Sequence, residues 1–223
     1  MELIKHASQL IFGKTSSGLP IPGYKFGNQG KKILILGGVH GDESEGVIAA
    51  HGLLDKFFDT FSFKLTVYLV PTFNLDGVLA QTRTNANGVD LNRNLPTQDW
   101  SPEVKTLRYH PGPKPLSESE NQGLVSFIQD EKPDFILTLH SWNPMLNTNG
   151  DCVNFAKVIS NYTGYTIEQD IGYPTPGSLG TYAGSELKIP TLTYEIERGI
   201  KTTNILTIHV PAILEAMKTL EEK

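Results

Sequence analysis

Short apolar runs alternate with helical apolar patterns along the chain. Lys32-Ile33-Leu34-Ile35-Leu36 is β-branched and leucine-rich, too short for a helix, and predicts a buried strand over 32–38. Gly46-Val47-Ile48-Ala49-Ala50 opens a helical pattern over about 45–58. Ser62 to Pro71 then carries the β-branched and aromatic content of a second strand. Strand, helix, strand implies a right-handed crossover. Upstream, residues 8–27 alternate short apolar groups with Gly18, Pro20, Pro22 and Gly23, which predicts two edge strands joined by a turn.

From Thr72 to Leu116 no helical or strand period persists and turn formers recur, so this stretch is expected to be a long loop, and loops of that length usually carry function. Ser117-Glu118-Ser119-Glu120 has the spacing of a capping box, with Ser117 as N-cap, opening a helix to about Asp130. A strand over 134–139 delivers His140, and an irregular segment, Ser141 to Gly150, leads to a helix over 153–162. Gly172 to Ser178 predicts a rigid loop before a short helix near Leu179 to Leu187. Residues 190–197 predict a last core strand, and 203–222 a closing helix bent or begun at Pro211. The expected fold is α/β: one domain over 1–223, a three-layer α/β/α sandwich with a mixed, mostly parallel twisted sheet. Its site belongs at the carboxyl ends of the central strands.

Composition narrows the possible functions. The 223 residues are 39% apolar and 19% charged with a net charge of −5, which gives no broad attraction to nucleic acid or an anionic membrane. No apolar run approaches the roughly 18 residues that span a bilayer. Cys152 is the single cysteine, and Met1-Glu2-Leu3-Ile4-Lys5-His6 lacks a basic region followed by an apolar stretch, so a cytoplasmic protein is expected.

The chemistry starts at the end of the first central strand. Gly37-Gly38 allows a tight turn, His40 follows, and Glu43 sits three residues on, just before the helix. His140 ends a second apolar strand in the same way. Two imidazoles and a carboxylate at one rim form a catalytic zinc set, which leaves a coordination position for water. His6, His51, His110 and His209 lack such placement and read as surface or packing residues. Activating water needs a base, and the last strand offers Glu195 and Glu197, which alternation puts on one face, so periodicity does not choose between them. The long loop adds Arg83, Asn92 and Arg93, donor types that suit an oxyanion and a substrate carboxylate.

With these residues the sequence resembles the zinc metallocarboxypeptidase family: His40-x-x-Glu43, Asn74-x-Asp76-Gly77, Arg83, Gly88-Val89-Asp90-x-Asn92-Arg93-Asn94, His140-Ser141 and Tyr194-Glu195-Ile196. Within it the chain is most similar to the murein peptide amidases, through Asn85-Ala86-Asn87 before Gly88, Lys114-Pro115 followed by Ser117-Glu118, and Gly172-Tyr173-x-Thr175-Pro176-Gly177-Ser178. The resemblance implies a carboxypeptidase-like fold and one Zn(2+) per chain on His40, Glu43 and His140. It implies Glu195 as general base and acid, Arg83 at the oxyanion, Asn92 and Arg93 on the terminal carboxylate, Tyr173 on the specificity loop, and Asp90 orienting His40. Leu179 falls near the pocket base. Leu75 stands where the family motif carries proline, which is expected to loosen that turn.

The implied activity is hydrolysis of the γ-D-glutamyl-meso-diaminopimelate bond of a free murein peptide, a cell-wall recycling step with a small peptide as partner and neither nucleic acid nor membrane. The alternatives are an N-acyl amino acid deacylase of the aspartoacylase or succinylglutamate desuccinylase type, and a non-catalytic muropeptide-binding protein.

Overall fold

A computed structural model describes residues 7–104 and 106–221. His6, the opening stretch before it and Glu222 of the expected closing helix lie outside the described residues. Eight strands among the described residues form one sheet: β1 (Ala7–Lys14), β2 (Pro20–Phe26), β3 (Lys32–Gly37), β4 (Thr66–Val70), β5 (Phe135–Trp142), β6 (Met145–Asn149), β7 (Thr166–Glu168) and β8 (Thr191–Glu197). Their order is β1-β2-β4-β3-β5-β8-β6-β7. The central β4-β3-β5-β8 pairings are parallel, whereas β1 on β2, β2 on β4 and β6 on β8 are antiparallel.

The winding fixes where a site can form. From β3 the chain passes through α1 (Ser44–Asp59) to β4, and from β4 through α3 (Ser119–Glu131) to β5 on the other side of β3. Two right-handed crossovers in opposite directions put their helices on opposite faces. One apolar face of the sheet takes Ala49, Leu53 and Phe57 of α1 with Phe155 and Ile159 of α4 (Val153–Thr163); the other takes Leu124, Val125 and Ile128 of α3. The strand order reverses between β3 and β5, and the crevice outside their carboxyl ends is where an open α/β sheet binds ligand.

Several elements depart from the sequence reading. The long loop contains a helix, α2 (Leu75–Ala80), because Asn74 Oδ1 caps it by accepting from Gly77 N–H at 2.9 Å. The turn is therefore firm without the proline. Ser117 is not an N-cap: α3 starts at Ser119, and Ser117 Oγ bonds Glu118 Oε1 and accepts from Asn94 instead. Neither histidine ends a strand, since His40 lies three residues beyond β3 and β5 runs through His140 to Trp142. Residues 145–149 are strand β6 rather than irregular chain, held antiparallel to β8 despite asparagines at 147 and 149. The predicted short helix is a π-helical turn, Gly180–Glu186. The closing helix runs from α5 (Thr202–Asn204) through a π-helical stretch, Ile205–His209, into α6 (Val210–Glu221). Val210 N–H reaches back five residues to Ile205, which accommodates the missing donor of Pro211.

Two positions carry predictions. A Cβ on Gly46 would lie 2.2 Å from the Leu139 carbonyl oxygen, so α1 rests directly on the backbone of β5. Gly46→Ala is expected to cost about 1–3 kcal/mol, read as a lower urea midpoint at unchanged slope. His209 is buried against Tyr194, and burial pushes its pKa down to about 4. The unfolded chain takes that proton near pH 6.5, so this residue's share of stability is complete above 6.5 and falls as the pH drops towards 4. Wild type is expected to lose up to about 3 kcal/mol more than His209→Gln between pH 7 and 4, measured by urea unfolding at each pH.

Candidate active site

The histidine after β3 and the histidine within β5 meet a carboxylate at the start of α1. Gly38, at φ 63°, turns the chain off the strand so that His40 faces back across the sheet edge. Glu43 occupies the N-cap position of α1, yet its side chain makes no capping bond. Its Oε1 lies 3.0 Å from His40 Nδ1 and its Oε2 2.9 Å from His140 Nδ1, and the two Nδ1 atoms are 3.1 Å apart. All three side chains are buried. A tetrahedral zinc with ligands at about 2.0–2.2 Å separates its donors by about 3.3 Å, so the trio fits that ion closely. Its chemistry fits as well, because two inward-facing imidazole nitrogens and a carboxylate are more easily reconciled by a shared cation than by the protons available.

Outside the trio the support is continuous. Asp90 is fully buried and accepts from His40 Nε2 at 3.1 Å, which leaves Nδ1 as the free donor atom, and it also takes Arg83 Nε and Asn92 N–H, each at 2.9 Å. Burial alone would raise the Asp90 pKa, but the charges of His40 and Arg83 drive it well below the usual carboxylate range. Burial would likewise raise Glu43, and His40 and His140 hold it well down. Ser141 N–H donates to Glu43 Oε2 at 3.2 Å, while Ser141 Oγ and Gly199 N–H both donate to Glu45, at 2.6 and 2.7 Å. Glu45 thereby ties the ends of β5 and β8 to the first turn of α1.

Glu195 stands beside His140 in the β5–β8 register, on the same face of the sheet. It is buried, burial pushes its pKa up to about 7, and its Oε2 has no hydrogen-bond partner among the described residues. Glu197, two residues on, is exposed at the strand end, which separates the two candidates that periodicity left equal. Arg83 Nη1 donates to Glu43 Oε1 at 3.2 Å, and both Arg83 and Arg93 lie over the Tyr109 ring, at 5.2 and 5.6 Å. Arg93 is buried and bonds only the Asn92 carbonyl, at 2.6 Å, with no carboxylate partner among the described residues. Asn92 Oδ1 takes the Leu179 N–H at 2.8 Å.

His40, Glu43, Arg83, Asn92, Arg93, Tyr109 and Glu195 line one cavity of about 370 Å³. Tyr173 stands at its edge, 38% exposed and edge-on to Trp142. Leu179 is not at the pocket base: it is buried in the apolar layer beside α3, and Ser178 and Gly180 face the cavity in its place. Asn147, Asn149 and Thr193, on adjoining strands, complete a polar wall. The sequence reading missed Asn147 and Asn149 because it read β6 as irregular. It also missed Arg108, Tyr109 and Arg198, which line the cavity, although Arg108-Tyr109 inside a turn-rich stretch was a visible signal. His51 is exposed and His110 half-buried, both off the donor trio, as expected of surface histidines.

An α/β sheet with a His–Glu–His set and a buried, unpartnered carboxylate facing one polar cleft has the architecture of a metal-dependent hydrolase. The chain belongs to the zinc carboxypeptidase family, which matches residues 4–162, and is a metallopeptidase of that family. It is 30% identical over 199 residues to murein peptide amidase A of Vibrio campbellii, covering 83% of this chain and 77% of that protein. It is also 30% identical over 178 residues to murein peptide amidase A of Escherichia coli K12, covering 73% and 69%. The crystal structure of a murein-tripeptide amidase from Escherichia coli O157 superposes with a TM-score of 0.75 at 23% identity, covering 97% of this chain and 92% of that one. The eight-stranded mixed sheet with helices on both faces is thus a carboxypeptidase-like fold.

Asp90→Asn keeps one acceptor oxygen where His40 Nε2 and Arg83 Nε each use a separate one, so one of the two donors loses its acceptor and the negative charge is lost. Zinc affinity is expected to fall by roughly 10–100-fold, measured by chelator competition.

Proposed function

We propose that this chain is a zinc amidase that cleaves the γ-D-glutamyl-meso-diaminopimelate bond of free murein peptides. The observation that carries the reading is Glu195: a buried carboxylate with a raised pKa, one oxygen unpartnered, beside the donor trio on the open face of the sheet. A structural ion pair would have satisfied that oxygen. The names of the two amidase relatives, each aligned over two thirds or more of its length, support the choice of bond.

His40 and His140, through Nδ1, and Glu43 would hold one Zn(2+). Bound there, zinc supplies a Lewis acid that acidifies water and polarises the scissile carbonyl. The chain's own groups do the rest. Glu195 takes the proton from the attacking water, which a carboxylate with a pKa near neutrality does efficiently, and returns it to the leaving amine. Arg83, drawn inward by Asp90 and Glu43, faces the oxygen that becomes negative as the carbonyl turns tetrahedral. Arg93, buried without a carboxylate of its own, and the Asn92 amide hold the terminal carboxylate of the leaving amino acid. Tyr173 and Trp142 wall the cleft on the side open to water.

We place the activity in the cytoplasm, acting on small peptides recovered from the cell wall. Cys152, buried and unpaired with its thiol pushed up to about 12, suits a reducing compartment. No described helix is long and apolar enough to cross a membrane.

The zinc-loaded protein is expected to release diaminopimelate from L-Ala-γ-D-Glu-meso-diaminopimelate, with products read by mass. Hydrolysis of N-acetyl or N-succinyl amino acids in place of the tripeptide would overturn the reading. Glu195→Gln keeps the shape of the side chain and removes the base, so turnover is expected to fall by about 10³-fold or more with zinc content unchanged.

A further inference from the structure

Two arginines at the mouth of the cleft have no role in the mechanism above. Arg108 Nη2 lies 2.9 Å from Asp42 Oδ2, and Arg198 Nη1 approaches the same oxygen at 3.7 Å. Arg198 Nη2 lies 3.6 Å from Glu43 Oε1 and also donates to the Ser141 carbonyl. Both guanidiniums line the same cavity as Glu195. One carboxylate thus serves two cations, and its other oxygen, Asp42 Oδ1, is buried without a partner. Arg108 has no further hydrogen-bond partner among the described residues, so most of its donor fork is open. Beyond them a shallow groove of about 570 Å³ continues past Asp42, Leu107, Gln81 and Thr82, sharing Arg83 and Arg108 with the cleft. On the amidase reading, with Asn92 and Arg93 on the leaving side, this groove is the space open to the acyl side of the substrate.

We propose that Arg108 and Arg198 form a second carboxylate-binding site, for the free α-carboxylate of the γ-linked glutamyl residue on the acyl side of the scissile bond. This rests on the amidase reading above. An ordinary α-peptide has no anion at that place. A γ-glutamyl amide always has one, at the end of an arm of four carbon–carbon bonds that spans about 5 Å from the scissile carbonyl. Arg198, 3.6 Å from a metal-donor oxygen of Glu43, stands within that arm's reach of the reacting centre. Asp42 is the one carboxylate within ion-pair distance of both guanidiniums and holds them in place before substrate arrives; Glu43, the other carboxylate near Arg198, is shared with His40, His140 and Arg83, so the pair keeps positive charge for a ligand. The site would select the γ-linkage itself, separately from the residue released.

The test compares L-Ala-γ-D-Glu-meso-diaminopimelate with the same peptide carrying an α-carboxamide on the glutamyl residue, using the zinc-loaded full chain. Wild type is expected to prefer the carboxylate by about tenfold or more in kcat/KM, mostly through KM, and Arg108→Ala to bring that ratio close to one. Arg108→Lys should restore part of the preference, since it keeps the charge and loses the fork. A purely structural role for Arg108 would slow both peptides equally and leave the ratio intact, which would overturn the proposal. So would equal cleavage of the two peptides by wild type. No cleavage of either peptide would instead overturn the amidase reading, and this site with it.

Discussion

The site depends on one close approach, that of the first turn of α1 to the backbone of β5. Glu43 reaches His140, 97 residues away, only because Gly46 presents no side chain to the Leu139 carbonyl and Gly37 none to Ala50. With that contact made, a carboxylate at a helix start forgoes capping and lies between two imidazoles. Burying those three polar groups is costly unless each is satisfied, and Asp90, Ser141 and Arg83 supply the partners that proteins require of buried charge. The same contact carries Glu45 to the ends of β5 and β8, so His140 and Glu195 are fixed to the element that carries Glu43.

The long loop answers a different constraint. Chain without regular structure has to satisfy its backbone groups by other means, and here buried side-chain amides do so. Asn85 accepts from Asn87 and Val89 N–H and donates to Glu118; Asn94 donates to the Pro111 and Lys114 carbonyls; Asn121 of α3 donates to the Leu91 carbonyl. The loop is thereby fastened to α3 and to its own turns, and Asp90, Asn92 and Arg93 inherit that rigidity. The asparagines that looked like turn formers in the sequence are the loop's substitute for a hydrogen-bonded ladder.

This explains which parts of the structure were legible in advance. Strands β3 and β8 and helices α1 and α4 are written in local apolar period, which needs no tertiary context. The donor trio was legible because His40-x-x-Glu43 and His140 follow buried runs, even though the histidines do not sit at the strand ends. Strand β6 was hidden because its pairing to β8, rather than the propensity of Asn147 or Asn149, makes it a strand. Leu179 was misplaced because a π-helical turn rotates residues differently from the assumed helix, exposing Gly180 to the cavity. Arg198 was hidden because its contacts with Asp42 and Ser141 are long-range facts that no local pattern contains.

Charge placement then narrows what the cleft accepts. Arg83 is matched by Asp90 and Glu43, so it is held rigidly and keeps little net attraction for a ground-state anion. In the proposed mechanism its use is for charge that develops during reaction. Arg93 is buried with no carboxylate at ion-pair distance among the described residues, and Arg108 and Arg198 share Asp42, Arg198 also lying 3.6 Å from Glu43, so on the proposed reading these three keep positive charge for anions present from the start. A guanidinium left without an anion is costly where it is buried, as Arg93 is, whereas Arg108 and Arg198 are partly exposed; on the proposed reading a ligand brings carboxylates to both ends of the cleft. A peptide with a single terminal carboxylate serves one end. On the proposed reading a γ-linked acidic peptide serves both, so part of the discrimination between them would lie in the placement of charge in the empty protein, before any side chain of the released residue is read.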